Sequence, residues 1–409
     1  MTEEAGVADA PVHYNPYEYS MHEDPYPTYS RLRDEAPLYR NDDLGFWALS
    51  RHADVSAGFR DSARFSNSHG VSLDKAASGP HADRTMSFLA MDAPRHTRMR
   101  ALVSRGFTPR RVVEMEDRIR ALTLEHLEPA LEAGSFDFIG DLAGRLPMDV
   151  ISELIGVPRQ DREELRRLAD LLVHREEGVE DVPPSGIEAA FSLAGYYADM
   201  IAERRARPTD DLTSALLEAE IDGDRLTDDE VTAFLFLMVV AGNETTTKLL
   251  ANAWYWAWRN PDQCAWALDG AVVHDPARID AWVEETLRYD TSSQMLARIT
   301  LEEVELHGRT IPAGDRVLLL VGSANRDPRV FPAPDRYDLR RDTSQLVSFG
   351  VGRHFCLGAS LARLEARVCL TELAARVEGY GVDAEAATRV HSVNVRGFAT
   401  LPTTVEVRR

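Results

Sequence analysis

The chain has 409 residues, of which 44% are hydrophobic, enough for a large buried core. Its net charge of −21 excludes the broad basic surface that binding to nucleic acid or to an anionic membrane requires. The N-terminus does not have the pattern of a signal peptide, and the longest apolar run, 233–242, is too short for a membrane helix of ~20 residues. We therefore expect a cytoplasmic protein.

The cysteines suggest neither disulfide bonds nor a zinc site. There are three of them, Cys264, Cys356 and Cys369. The number is odd, and the spacing matches neither a disulfide framework nor a set of zinc ligands. A reducing compartment is the simplest setting for such a chain.

The first half of the chain is predicted to be mainly helical. A strand followed by the start of a helix is predicted over 45–55, and a long loop rich in Ser, Gly and Ala over 67–90. A loop of that length inside a domain is usually functional or mobile. The acidic stretch 176–186 contains two prolines and is typical of a mobile connection. Apolar spacing predicts helices over 110–133, 142–155, 160–175 and 187–206.

One very long helix is predicted next. It has Thr227 as its N-cap, Glu230 as the capping-box partner, and an end before Pro261. At 1.5 Å per residue it would be roughly 48 Å long. Because its first half is apolar nearly all round, we expect it to run through the interior.

The middle of this helix carries the segment Ala241-Gly242-Asn243-Glu244-Thr245. A glycine inside a helix costs ~1 kcal/mol relative to alanine, so its presence needs a reason. One interpretation is a kink, with a threonine bonded back to the preceding turn. The other is a notch for a small ligand, where Glu244 and Thr245 pass protons.

Two shorter pairs have ordinary interpretations when each is considered alone. Glu285 and Arg288 share a helix face and would form a surface ion pair of little energetic value. His96 and Arg100 share a face of a helix that starts near Pro94. That face suits an anion such as a carboxylate, but it would also be a normal solvated surface.

The last third alternates strands with short helices. A strand is predicted over 316–325, an irregular meander over 326–342, a helix over 357–377, and strands over 389–409. No linker separates two self-contained cores. We therefore expect a single domain, 1–409, that is mainly α with small β-sheets.

The loop "SFGVGRHFCLG" contains the cysteine with the most unusual setting. Gly350 and Gly352 allow a tight hairpin with positive φ, and Cys356 then lies just before a helix N-terminus. The helix dipole there favours a thiolate, which suits a soft metal or an iron centre. The alternative is a tight turn that happens to contain a thiol.

The run Phe349-Gly350-x-Gly352-x-His354-x-Cys356-x-Gly358 resembles the cysteine-ligand loop of the cytochrome P450 family in its soluble bacterial form. Glu244-Thr245 after Gly242, and Glu285-x-x-Arg288, resemble two further motifs of the family and occur in the same order. The meander supplies Arg336, which the family joins to that Glu and Arg. The resemblance extends from Asn15 to the C-terminus.

The resemblance implies a cytochrome P450 fold with the long central helix across a haem b. Cys356 would be the thiolate ligand of the iron, with Phe349 beside the sulfur and the N–H groups of Leu357 and Gly358 tuning it. Glu285, Arg288 and Arg336 would be structural. The haem propionates would bind His96, Arg100, Arg298 and His354; oxygen would bind near Ala241 and Gly242; and Glu244 and Thr245 would deliver protons.

The implied activity is haem-dependent monooxygenation, which inserts one atom of O2 into a lipophilic small molecule by hydroxylation or epoxidation. The substrate would be a natural product, steroid, fatty acid or terpenoid. The stretches 67–90 and 176–186 would act as lids. Substrate-facing positions implied by the resemblance are Met86, Phe88, Leu89, Leu237, Val240, Gln294, Leu296, Asn394 and Val395; ordinary core packing is the alternative for each.

The implied electron donors are a separate ferredoxin and its reductase, acting on a monomer. Arginines near the cysteine loop would form a docking patch, unless they are simply scattered over the surface. These are Arg110, Arg111, Arg340, Arg341, Arg353, Arg363 and Arg367. A peroxide-driven haem-thiolate enzyme is disfavoured by the intact Glu244-Thr245 pair. A haem protein that binds a ligand without chemistry is the third alternative.

Overall fold

A computed structural model of the protein describes residues 11–104, 109–221, 223–269 and 275–408. Helices predominate, which confirms the prediction of a mainly α fold with small sheets. The α-helices are α1 (Tyr19–Glu23), α2 (Tyr26–Glu35), α3 (His52–Arg60), α4 (Asp83–Met86), α5 (Arg95–Val103), α6 (Pro109–Glu114), α7 (Glu116–Ala133), α8 (Leu146–Ile155), α9 (Arg162–Val173), α10 (Pro184–Ala206), α11 (Leu212–Glu218), α12 (Asp228–Arg259), α13 (Pro261–Ala267), α14 (Pro276–Tyr289), α15 (Val321–Ala324) and α16 (Ala359–Arg376).

The strands form one five-stranded sheet and several smaller ones. The larger sheet has the order β1-β2-β10-β7-β3, in which β2 and β10 are parallel and the other neighbours antiparallel. A second sheet has the order β11-β14-β4. The strands are β1 (Leu38–Asn41), β2 (Phe46–Leu49), β3 (Phe65–Ser66), β4 (Ser135–Asp137), β5 (Glu220–Ile221), β6 (Asp224–Arg225), β7 (Leu296–Thr300), β8 (Val304–Leu306), β9 (Arg309–Ile311), β10 (Arg316–Leu319), β11 (Val377–Val382), β12 (Thr388–Arg389), β13 (Phe398–Thr400) and β14 (Pro402–Val407).

The predicted long helix is α12, and both of its predicted ends are confirmed. The Glu230 N–H donates to Thr227 Oγ1 at 3.2 Å, and the Thr227 N–H donates to Glu230 Oε2 at 3.0 Å, forming the capping box. Pro261 begins the next helix, α13. Phe234 and Val239 are fully buried, so the first half of α12 runs through the interior.

Some predicted helix boundaries differ from the observed ones. The helix predicted over 110–133 is interrupted at Met115, which separates α6 from α7. The one predicted over 142–155 starts only at Leu146, because Phe138–Ala143 form a π-helix held by the Asp137 side chain. The helix after Cys356 starts at Ala359, with Gly358 as its N-cap.

The main core surrounds α12 and draws buried side chains from Phe88 to Leu401. Two smaller cores lie against the five-stranded sheet, one of them formed with tyrosines of the N-terminal segment such as Tyr14. The single-domain assignment stays a prediction. Among the described helices, none combines the length and apolar character needed to cross a bilayer.

Candidate functional site

The Cys356 loop is shaped by two glycines with positive φ. Gly350 has φ +66° and Gly352 has φ +80°. A Cβ at Gly352 would lie 3.3 Å from the carbonyl oxygen of Phe59, closer than most real contacts. The Cys356 N–H donates to the Phe349 carbonyl at 2.9 Å and closes the loop. The loop therefore holds the thiol just before α16, as predicted.

The Cys356 thiol is exposed on one side and enclosed by protein on the others, so burial raises its pKa. Two groups of donors act in the opposite direction. The backbone N–H groups of Gly358 and Ala359 hydrogen-bond to the sulfur, and the guanidinium groups of Arg100 and Arg363 favour its negative charge. Ala359 was not predicted. A metal cation at the sulfur would complete the stabilisation of a thiolate.

A cluster of basic side chains lies next to this loop. The rings of His96 and His354 have centroids 4.0 Å apart, and Arg100 donates from Nη2 to the Phe355 carbonyl at 2.7 Å. Three buried donor atoms have no hydrogen-bond partner: His96 Nε2, Arg100 Nη1 and His354 Nδ1. Unpaired buried donors are costly, so their convergence indicates a site for an acceptor ligand.

The pKa values in the cluster indicate missing negative charge. Burial, together with the charges of His96, Arg298 and Arg100, lowers the pKa of His354 to about 3. Burial also lowers the pKa of Arg298 to about 10, with Asp92 as the opposing acid. A ligand with two carboxylates would compensate these positive groups. The four side chains therefore fit the haem propionates.

Two aromatic rings connect the cluster to its surroundings. Phe349 belongs to the Cys356 loop itself, and the Arg363 guanidinium lies 4.5 Å from its ring centroid. Phe88, from the stretch 67–90, has its ring 6.1 Å from that of His96 and 6.2 Å from that of Phe234 on α12. Phe88 thus joins the basic cluster to the central helix.

The central segment of α12 shows both features that its sequence left open. Thr245 Oγ1 donates to the Ala241 carbonyl one turn earlier at 2.7 Å, so the back-bonded threonine is present. A Cβ added at Gly242 would meet Ile151 on α8 at 3.6 Å, an ordinary contact. Gly242 therefore faces α8, and its expected role of leaving space for oxygen gains no support from the direction of its missing side chain.

Glu244 is turned toward charged partners rather than toward Thr245. It is 2% exposed, its Oε2 lies 3.2 Å from Lys248 Nζ, and it is hydrogen-bonded to Asp170 on α9. Burial alone would raise the pKa of Glu244, but the charge of Lys248, the hydrogen bonds with Asp170 and Lys248, and the charge of Arg166 together outweigh it, and the pKa is lowered. Sequence reasoning missed both partners. Lys248 follows Glu244 at i+4 and is one of only two lysines in the chain, so the sequence could have indicated this ion pair.

Glu285 and Arg288 form a buried structural ion pair, not a surface pair. They are 1% and 0% exposed, with Arg288 Nε 2.7 Å from Glu285 Oε2. The prediction that the Arg336 side chain joins this ion pair is wrong. Its side chain is exposed and it contributes its carbonyl oxygen, whereas Arg341 Nε reaches Glu285 Oε1 at 3.3 Å.

The predicted substrate-facing positions separate into two groups. Leu237 and Val240 are partly buried on α12 and pack against the main core. Met86 packs within its own loop, where its sulfur accepts the Val71 N–H at 3.4 Å. The carbonyl of Leu89 accepts from Asn67 at 3.0 Å, which also ties that loop to itself. The members nearest α12 are therefore apolar.

The second group lies elsewhere. Gln294 donates to the Thr291 carbonyl at 2.7 Å and, with Val395, lines a cavity of about 20 Å³ whose other walls come from the N-terminal segment and the C-terminal tail. Leu296 packs into a core of the five-stranded sheet. Asn394 donates to Ser72 at 3.3 Å. Gln294 and Val395 thus line a small cavity together with residues of the N-terminal segment and the C-terminal tail.

Most arginines of the expected docking patch already have partners. Arg363 pairs with Glu284, Arg367 Nε lies 3.7 Å from Asp280, and Arg341 reaches inward to Glu285. Arg340 lies over the ring of Trp266. Arg353 lies on the loop itself and is exposed. The side chains of Arg110 and Arg111 are outside the part of the chain that the structure describes.

Comparisons with known proteins agree with this geometry. The family model for cytochrome P450 matches residues 278–378. Cytochrome P450 123 of Mycobacterium tuberculosis is 59% identical over 403 residues, covering 98% of this chain and 99% of that protein. The vitamin D(3) 25-hydroxylase of Pseudonocardia autotrophica is 39% identical, covering 94% of this chain and 95% of that protein.

A solved structure shows the same arrangement of elements. Cytochrome P450 CYP109Q5 from Chondromyces apiculatus superimposes with a TM-score of 0.85 at 35% identity, covering 97% of this chain and 99% of that one. An identity of 59% over nearly the whole length of a relative leaves no room for another family. The chain belongs to the cytochrome P450 family and is a haem b-dependent monooxygenase.

Proposed function

We propose that this monooxygenase hydroxylates or epoxidises a lipophilic small molecule of the natural-product, steroid, fatty-acid or terpenoid classes. The observation that carries the proposal is the set of unpaired donors, on His96, Arg100 and His354, beside the Cys356 thiol. This set supports haem held by its carboxylates, with Cys356 as the iron ligand. Haem bound there supplies the dioxygen chemistry, and the protein provides position, protons and exclusion of water.

The apolar character of the nearby side chains supports a lipophilic substrate. Phe88 presents an aromatic ring next to the basic cluster, and Leu237 and Val240 present partly buried aliphatic surface on the central helix. Burial of such surface contributes about 25 cal/mol per Å², so an apolar substrate would gain most from binding there. The named activity of the Pseudonocardia relative, a vitamin D(3) hydroxylase, is in keeping with a steroid-like molecule.

Proton delivery is assigned to Glu244 and Thr245. Glu244 is buried but kept ionised by its contact with Lys248. The next residue, Thr245, carries a hydroxyl. Since Glu244 now faces Lys248, its side chain must turn toward Thr245 before a proton can pass between them. The hydroxyl of Thr245 would then hold the proton where the substrate reacts.

We further propose that a separate ferredoxin and its reductase supply electrons to a cytoplasmic monomer. The exposed Arg353 on the cysteine loop supports a local attraction for an acidic partner, although neighbouring arginines are partly neutralised by Glu284 and Asp280. Reduction of the haem by a surrogate acidic ferredoxin should therefore slow at high salt and in Arg353→Gln. A rate that is independent of both would contradict this docking site.

The central test uses the holoenzyme with a surrogate ferredoxin and reductase. Compounds that shift the haem absorption are first identified, and product is then measured against NADPH consumed. Thr245→Ala should divert electrons from product to peroxide or water while leaving haem binding intact. Cys356→Ser should abolish the thiolate-type spectrum of the carbon monoxide complex. Unchanged coupling in the first variant would refute the proton assignment, and an unchanged spectrum in the second would refute the ligand assignment.

A further inference from the structure

The helix α10 has two different faces. Its inner face buries Leu193, Tyr197 and Ile201 in the main core, where the helix packs on α9, α11 and α12. Its outer face is apolar along most of its length, in two adjoining rows at i, i+4 spacing. We call these six residues the outer stripe: Ile187, Phe191 and Gly195 in one row, and Ala194, Ala198 and Ala202 in the other.

Two members of the outer stripe are unusual for a face that meets only water. Phe191 is 76% exposed, the most exposed of the large apolar side chains that the structure describes, and Ile187 is 40% exposed. Gly195 lies inside the helix, where glycine costs ~1 kcal/mol relative to alanine, yet a Cβ added there would meet no neighbouring atom within 4 Å. Packing within the described part of the chain explains neither feature, and both indicate that another molecule covers this face.

The outer stripe is complementary to itself. Its N-terminal half carries the large side chains of Ile187 and Phe191, and its C-terminal half carries only the small Ala198 and Ala202. In an antiparallel pair with its axis at the centre of the stripe, Phe191 lies opposite the partner's Ala198, and Ile187 lies opposite the partner's Ala202. A two-fold interface requires such a surface, because each copy contributes the same residues.

The charges at the two ends of α10 favour the same arrangement. The stretch 176–181, just before the helix, contains four acids, and the C-terminal end carries the exposed Arg205 and Arg207. Arg205 already pairs with Asp228 on α12, so Arg207 contributes more of the positive charge that a partner meets. In an antiparallel pair the acidic end of each copy lies beside the basic end of the other, and the opposed helix dipoles add to this attraction.

We propose that the outer stripe of α10 binds the same stripe of a second copy, in an antiparallel pair of helices related by a two-fold axis. One pair of 23-residue helices is small beside the ~1,600 Å² of a standard interface, so the association is weak and reversible. This inference goes beyond the proposed function, and the monomer that receives electrons there is the unit that pairs here.

The pairing does not involve the Cys356 loop. That loop is contacted by Phe59 on α3, Arg100 on α5 and Arg363 on α16, whereas α10 packs on α9, α11 and α12. Each copy in the pair therefore keeps its own candidate site and its own approach for an electron donor.

Sedimentation equilibrium of the holoenzyme tests the pairing. Between about 1 and about 200 µM, the average mass of the wild type should rise from that of a monomer toward that of a dimer. Phe191→Ser should raise the dissociation constant at least about tenfold, because each pair loses two buried rings. Leu301→Ser, which removes a 55% exposed side chain after β7, is the matched control and should pair like the wild type. A wild type that stays monomeric, or a Phe191→Ser variant that pairs normally, would overturn the inference.

Cysteine cross-linking tests the antiparallel register. Gly195 lies beside the axis, so Gly195→Cys should form a disulfide between two copies on mild oxidation. Ala202 lies opposite the partner's Ile187, so in Ala202→Cys the two new thiols would be about 22 Å apart along the helices and should not join. The wild type shows the background from the native cysteines. Equal cross-linking of both variants would indicate a parallel pair and refute the register.

A charge exchange tests the ends of the pair. Arg207→Glu should weaken the association about threefold, because it places a negative charge against the acidic stretch 176–181 of the partner. Adding Glu180→Arg to the same chain should restore the association, since the two ends are then exchanged. A double variant that pairs no better than Arg207→Glu would contradict the charge pairing.

A lipid surface is the other partner that such an apolar stripe would suit. The holoenzyme should not float with vesicles of zwitterionic phospholipid, because the stripe is flanked by the acidic stretch 176–181 and by Glu188 and Asp199. If the wild type is monomeric in solution but floats with these vesicles, and Phe191→Ser does not, the outer stripe binds lipid and the proposed pair is wrong.

Discussion

Gly352 sets the turn that presents Cys356. Its φ of +80° is a conformation that costs an L-residue about 1–2 kcal/mol, and an added Cβ would crowd the Phe59 carbonyl at 3.3 Å. Gly352→Ala should therefore lower the free energy of unfolding by about 2 kcal/mol and weaken haem retention, measured by urea titration of the holoenzyme. Gly45→Ala is the matched control, because Gly45 has φ +70° but no atom within 4 Å. Equal losses in both variants would show that the Phe59 contact contributes nothing.

Gly242 offers a contrasting test, since it lies inside a helix and its missing side chain faces α8. A Cβ there would meet Ile151 at an ordinary 3.6 Å. Gly242→Ala should raise the free energy of unfolding by up to about 1 kcal/mol, the helix-propensity difference between the two residues. Thermal unfolding of the two proteins measures this difference. A loss of stability would mean that α8 and α12 pack too tightly at this point for a methyl group.

Single residues differ in how far the sequence reveals their roles. Cys356 could be predicted because glycines, a histidine and a helix start surround it at fixed spacing. Arg341 could not, because the meander 326–342 has no periodicity that tells which of its arginines folds back to Glu285. Asp170 could not either, since its partner Glu244 is 74 positions away on another helix. Such pairings depend on how α9 crosses α12, which no local pattern specifies.

At the level of elements, the two predicted lids are tied to each other. Arg175, just after α9, donates from Nε to Asp74 Oδ1 at 3.0 Å, and Asp181 Oδ1 accepts the Ala76 N–H at 3.0 Å. Asp74 is fully buried and also accepts from Tyr17 at 3.1 Å. The stretch 67–90 and the segment after α9 are thus joined across a buried ion pair. We refer to the Asp74–Arg175 contact as the lid clamp.

Breaking the lid clamp should open this region. Arg175→Ala leaves the Asp74 carboxylate buried without its counter-ion, a change that typically costs about 3–5 kcal/mol. Amide hydrogen exchange across 67–82 should accelerate, and dissociation of a bound ligand should become faster. Arg31→Ala is the control: it removes an exposed ion pair with Glu35 and should change amide exchange across 67–82 only a little. Unchanged exchange in Arg175→Ala would show that the contact does not hold the lids.

Element boundaries were predictable where a local signal marks them. The capping box at Thr227 and the proline at 261 gave both ends of α12 correctly. The break between α6 and α7 at Met115 has no glycine or proline beside it, and the π-helix Phe138–Ala143 has helical spacing like any other segment. The first segment packs against α16, and the π-helix, besides its cap at Asp137, packs against α7 and α12; such packing outweighs local preference.

For the whole molecule, Asp290 is the point where distant segments meet. Tyr26 from α2 donates to its carboxylate at 2.7 Å, Trp256 from α12 at 2.8 Å, and Arg396 from the C-terminal tail at 2.7 Å. Arg389 Nη1 lies 3.5 Å away. The N-terminal segment, the central helix and the tail are therefore held at one fully buried carboxylate.

Acid should weaken this junction. Burial alone would raise the pKa of Asp290, but Arg396 and Arg389 outweigh it and lower the pKa to about 2, from an ordinary 3.8. Because the folded form binds the proton more weakly than the unfolded form, the stabilisation is present above pH ~4 and is lost as pH falls toward 2. The stabilisation lost over this pH range is on the order of 2–3 kcal/mol.

Asp290→Asn should therefore lower the free energy of unfolding by about 3 kcal/mol at pH 7, because it leaves two buried arginines short of a counter-ion. The deficit should shrink as pH falls below 4, since the Asp290 carboxyl of the unfolded wild type then takes up a proton that the folded form still resists, and this stabilises the unfolded wild type. Urea titrations from pH 3 to 7 measure both effects. Asp42→Asn, an exposed acid beside Arg40, should change stability by less than about 0.5 kcal/mol at each pH. A deficit that stays constant down to pH 3 would mean that Asp290 contributes through its hydrogen bonds and shape rather than through its charge.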